Sequence, residues 1–213
     1  MKKKKSFWQS ILDFLGDSSP FMTLVGKAAM LVVLNVCCLL CCLPVVTAGA
    51  AVTALYAVLL EREEHSYLSA PAAFFRQLRR RFRQATVLWL PFLILALLLG
   101  MEAWVLLVRQ LTDHALLLTP LLVAAALWAM TLLWLFPLLA RGTAAPLCTA
   151  FVLALRELWR SLAVMALSSV PFILFLFWPR TFLELLPFWT LLGFSLTARC
   201  SLLLLEPVLR KMP

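Results

Sequence analysis

Residues 34–60 read LNVCCLLCCLPVVTAGAAVTALYAVLL, and how this stretch divides decides how the rest of the chain threads. Between Phe21 and Leu60 the only charged residue is Lys27. That run is about twice the ~20 apolar residues that cross a bilayer once. Pro44 and the small-residue patch Thr47-Ala48-Gly49-Ala50 form its natural break, because proline removes a helical hydrogen bond and glycine loosens the backbone. The reading is a first span at 22–42 and a second at 46–60. The second is short and rich in alanine, a surface that lets helices approach closely. The rival division, one long tilted helix through Pro44, would carry the arginines at 76–83 to the outer side, against the positive-inside rule.

Working outward, the basic residues fall in alternate gaps between apolar runs. Lys2 to Lys5 come first, then Arg76, Arg79, Arg80, Arg81 and Arg83, then Arg141, Arg156 and Arg160, and finally Arg210 and Lys211. The intervening gaps hold only Arg109 and Arg180. Four more spans follow, at 86–108, 115–139, 161–178 and 182–205. The expected fold is all-α: one polytopic membrane domain over 1–213, a bundle of about six transmembrane helices with interfacial amphipathic helices and both termini cytoplasmic. The expected location is the bacterial cytoplasmic membrane.

Composition agrees. The chain is 64% hydrophobic and 14% charged, where soluble domains average about half and about a quarter. A water-soluble core is excluded. The formal net charge is +9. Its positive residues flank apolar spans, so the expected partner is a bilayer with anionic headgroups and no nucleic acid. Met1 to Lys5 do not open a signal peptide, since the apolar run begins only at Phe21 and is too long. Four of the six cysteines lie inside the first span, where no disulfide framework is expected.

Three polar segments read as interfacial helices. Residues 1–20 form an arm in which Phe7, Trp8, Ile11, Leu12 and Leu15 share a face. In residues 74–83, Phe74, Phe75, Leu78 and Phe82 take one side, and Arg76, Arg79, Arg80 and Arg83 the other. These four arginines are the candidate surface for docking lipid or a protein partner. Residues 143–160 repeat the theme. An amphipathic helix before each pair of spans, near Phe7, Phe74 and Phe151, outlines three hairpin units.

Few residues carry chemistry. Asn35 lies mid-span and needs a partner on another helix. Arg199 can snorkel inward or pair toward Glu206. Glu102 and Glu184 fall near outer span ends. Cys37 and Cys41, like Cys38 and Cys42, stand at i, i+4, a spacing that suits either a soft metal or, as favoured here, helix packing. No phosphate loop, HExxH or GxSxG stands in the sequence, and His65 and His114 fall on opposite sides. The expectation is a protein that is not an enzyme and has no catalytic residues, cofactor or metal.

The string at 34–60 resembles the hallmark of the YesL-like family of bacterial multi-pass membrane proteins, a family built on a domain of unknown function. SSPFMTLVGKAAMLVVLN at 18–35, FFRQLRRRFRQATVLWL at 74–90, WLFPLLAR at 134–141 and GFSLTARCSLLLLEP at 193–207 resemble it in the same order. The resemblance implies an accessory or regulatory role in carbohydrate uptake, with carbohydrate ABC transporter components as partners. The alternatives are a permease subunit of an ATP-driven sugar transporter or a structural membrane protein, and a homo-oligomer is compatible with each. The family supplies no catalytic or ligand residues. The doubled cysteines at 37–38 and 41–42 are denser here than in its pattern.

Overall fold

Pro20 fixes the start of the first helix, a position where its missing N–H costs nothing. In the computed structural model this helix, α1, runs Pro20–Cys42. The structure describes residues 20–61, 68–108 and 115–209. The expected interfacial helix at 7–15, the loops that hold His65 and His114, and the basic tail at 210–211 lie outside them.

α1 ends where Pro44 forces the preceding residue out of helical geometry. A single 3-10 turn, Val45–Thr47, follows. The Thr47 hydroxyl lies within hydrogen-bond distance of the Cys41 and Pro44 carbonyls, and its one proton can serve the Cys41 carbonyl that the helix end leaves over. α2 is Ala48–Leu60. α3 is one unbroken helix of 39 residues, Ala70–Val108. α4 is Ala115–Arg141, α5 the short Pro146–Arg156 and α6 Leu158–Phe177. α7, Pro179–Phe188, passes through a five-residue π turn, Trp189–Gly193, into α8, Phe194–Leu209. The described residues contain no strand. The fold is a helical bundle.

Cross-contacts set the directions. Trp89 Nε1 donates to the Val45 carbonyl at 2.9 Å, while Glu61, just past α2, accepts from Gln77. α2 therefore runs antiparallel to α3. Trp128 Nε1 donates to the Phe92 carbonyl at 3.1 Å and Arg81 donates to Leu139, so α4 also runs antiparallel to α3. The C-terminal ends of α2, α4 and α8 gather at one end of the bundle, beside the arginine-bearing half of α3.

Among the described residues, five helical stretches are long and apolar enough to cross a membrane: 24–42, 70–102, 119–141, 158–175 and 180–209. The expected second span differs. α2 has 13 residues, about 20 Å of helix against a hydrocarbon core of ~30 Å. It forms the centre of the core instead: Ala50, Ala51, Ala54, Leu55 and Val58 are all buried, packed with Leu34, Trp134, Leu135 and Leu138. Its small residues admit neighbours on every side. At Gly49 a Cβ would sit 2.5 Å from Trp89 Cβ, so only glycine lets α3 close in at that level.

The 74–83 segment also differs from expectation. Nothing breaks the helix between the arginines and the span, so this segment continues α3 in line. Ala70, Ala73, Phe74, Gln77 and Ala85 are its buried stripe. Phe74 faces α2 and the core rather than lipid, and Leu78 is packed against the core. Phe75 and Phe82 remain outside with the arginines. α2 supplies an alanine-rich surface, and the helix turns its smallest face toward it.

Candidate functional site: an arginine-capped end and a buried polar seam

The described arginines of the α3 cluster divide into two groups. Arg76, Arg79, Arg80 and Arg83 are exposed. Arg76 lies 3.8 Å from the Glu61 carboxylate across the gap to α2, with its own side chain largely in the open. Arg81 turns inward. It is in phase with the buried stripe, one turn after Gln77 and one before Ala85. Its Nε meets Gln77 Oε1 at 3.4 Å and its Nη1 donates to the Leu139 carbonyl.

That contact is one of three alike. Arg141 Nη1 donates to the Leu209 carbonyl, and Arg199 Nη1 donates to the Leu59 carbonyl at 3.2 Å. In each case a guanidinium reaches a carbonyl in the last turn of a neighbouring helix. The C-terminal end of a helix carries partial negative charge and offers carbonyls with acceptor capacity to spare. Three cations thus join α3 to α4, α4 to α8 and α8 to α2. For Arg199 the end of α2, on another helix, supplies an acceptor. α4 itself closes on Gly142 at φ +78°. Gly142 N–H reaches the Leu139 carbonyl and Thr143 N–H the Leu138 carbonyl, a helix stop that places glycine at its left-handed position.

Deeper in the bundle lies the seam built on Asn35, fully buried in α1. Its Nδ2 donates to the Thr190 carbonyl at 2.8 Å, and its Oδ1 accepts from Ser195 N–H at 2.9 Å. Those two main-chain groups are five residues apart, across the π turn. A widened turn displaces main-chain groups from their usual partners, and an inserted side chain can satisfy them. Gly193 is required on the same turn, since a Cβ there would come within 2.2 Å of the Trp189 ring. Further along α8, Ser201 Oγ donates to the Thr197 carbonyl at 2.8 Å. Ser161 accepts from Trp134 Nε1 at 2.8 Å. Thr86 Oγ1 is the one buried side-chain polar atom left without a partner among the described residues.

Four of the six cysteines line one end of α1. Cys38 Sγ and Cys42 Sγ share a hydrogen bond at 3.9 Å and are free thiols, not a disulfide. Cys38 is buried and packs in the core; Cys37 and Cys41 pack against it. Among the described residues no group of three or more His, Cys, Asp or Glu side chains is placed to hold a metal. Glu102 and Glu184 are exposed.

Asn35 and Arg199 thus each touch another helix through main-chain groups, while the four exposed arginines share an outer face of α3. Sequence reasoning missed Arg81 and Arg141 as inward-turned caps. The signal for Arg81 was its register with Ala70, Phe74, Gln77 and Ala85. The π turn, WTLLG at 189–193, has no such signal, since it forms where α1 inserts its amide. No curated protein and no solved structure matches the chain. The stretch from Ala29 to Ala103, which carries the hairpin, Asn35, the four cysteines of α1, Trp89 and the arginine cluster, matches the model of the family described as Protein of unknown function, DUF624.

Proposed function

We propose that this membrane-type helical protein is an accessory or regulatory component associated with carbohydrate uptake in a bacterial cytoplasmic membrane, working beside an ABC-type importer. Two lines support the reading. The family resemblance points to sugar uptake, and the matched segment 29–103 contains the motifs that carry part of it. The observation that favours an accessory over a conduit is the bundle centre. α2 fills it with Ala51, Ala54, Leu55 and Val58, against Leu34, Trp134, Leu135 and Leu138. On these helices Asn35, Thr53 and Thr131 bond main-chain carbonyls, and Trp134 bonds Ser161. A permease for sugars needs polar groups along its path.

The permease reading and the structural reading are the alternatives. Uptake of a radiolabelled sugar in a deletion strain, beside transport by the purified importer in liposomes, separates them. An accessory role predicts impaired uptake in cells, restored by the gene, while the importer transports unaided in liposomes. Unchanged uptake across the sugars tested contradicts it. Sugar flux through liposomes holding this protein and an ATPase alone would establish the permease instead.

A further inference from the structure

One outward stripe of α3 changes character along its length. Arg76, Arg80, Arg83, Val87, Leu90, Ile94, Leu97 and Met101 follow each other at alternating steps of four and three, the spacing of one helical face. All eight are exposed, Val87 at 60% and Met101 at 66%. The stripe is therefore three guanidiniums followed directly by an uncovered apolar rail. Phe75 and Phe82 are exposed on the same half of the helix as the arginines, the pairing of aromatic and basic groups typical of a membrane boundary. We propose that this stripe is a binding surface for an anionic phospholipid, with its phosphate on Arg76, Arg80 and Arg83 and an acyl chain along Val87, Leu90 and Ile94. The proposal rests on the reading of the chain as a membrane protein.

Length and chemistry both favour this occupant. Arg83 to Ile94 is about 16 Å along a helix, close to half of the ~30 Å hydrocarbon core, so a headgroup at the arginines leaves one leaflet of acyl chain against the rail. Guanidinium groups bind phosphate through parallel N–H···O bonds. The Glu61 carboxylate faces the cluster, 3.8 Å from Arg76 and close enough to act on Arg81, and between Ala70 and Met101 α3 itself carries no acidic residue to offset its five arginines. A partner transmembrane helix would call for small residues on the rail; here they are Val, Leu, Ile and Met. A soluble acidic protein would leave the rail uncovered.

The test uses the full chain reconstituted in phosphatidylcholine vesicles doped with spin-labelled phosphatidylglycerol or spin-labelled phosphatidylcholine. The motionally restricted fraction of each probe gives a selectivity ratio. The native chain should prefer phosphatidylglycerol severalfold, at up to about fivefold per engaged basic residue. Replacing Arg76, Arg80 and Arg83 together with Gln should bring the ratio toward one, while Arg156→Gln on α5 leaves it unchanged. Leu90→Ala with Ile94→Ala should lower it, and inorganic phosphate should not compete. A native chain that inserts and melts cooperatively but shows no preference overturns the inference and leaves the membrane reading standing; so does a triple variant that keeps the preference. Loss of an importer subunit from co-purification with the triple variant, without any lipid preference in the native chain, would replace lipid by a protein partner. A chain that fails to incorporate into vesicles sinks both readings.

Discussion

At the scale of single residues, the most consequential side chain is Asn35. An amide in an apolar bundle must find partners, so its need for another helix was legible from the sequence. Its partner was not, because the displaced groups of Thr190 and Ser195 arise only when α1 meets the π turn. Asn35→Ala should leave a buried donor and acceptor unpaired, at a cost of about 1–3 kcal/mol. Thermal unfolding of the purified protein in detergent should then show a midpoint lower by several degrees. An unchanged midpoint would mean that the turn relaxes to an ordinary α-helix without the amide. Arg81 was hidden for a different reason. In a run of three arginines, composition cannot tell which one turns inward; only the register of the buried stripe can.

At the scale of elements, the hairpin at Pro44 is the feature the sequence showed best. A helix break, a short second helix and a small-residue surface were all readable, and they appear as the 3-10 turn and α2. That protein rather than lipid would surround α2 was not readable, since hydropathy registers apolar surface without saying what covers it. The same limit misplaced Phe74, which hydropathy assigns to lipid and packing assigns to the core. The contact between α2 and α3 at Gly49 makes a direct check. Gly49→Val drives a side chain into Trp89, and overpacking of this kind costs about 1–3 kcal/mol. Gly100 has open space around its Cβ position, so Gly100→Ala should be neutral or mildly stabilising through helix propensity. Equal melting points for the two variants would show that α3 does not close on α2 at Trp89.

At the scale of the whole molecule, the threading turns on the two-way path of the chain through residues 20–61. α1 and α2 form a hairpin, so Glu61 returns to the end of the bundle where Arg81 and Arg141 cap their neighbours. The charge distribution had already placed the arginine cluster, Arg141 and the ends of α2 and α4 on one side, and the structure brings these groups within contact of one another. What the sequence could not convey is that one of the apolar segments is shorter than a crossing and is sheltered by the other helices. The most direct test is the sidedness of three sites. A compartment-specific reporter, inserted in the intact chain after Leu60, after Thr112 or after Leu139, reads the side on which each lies. The account predicts that Leu60 and Leu139 report the cytoplasm and Thr112 the exterior; a reporter at Leu60 that reads with Thr112 would remove the hairpin at Pro44 and contradict it.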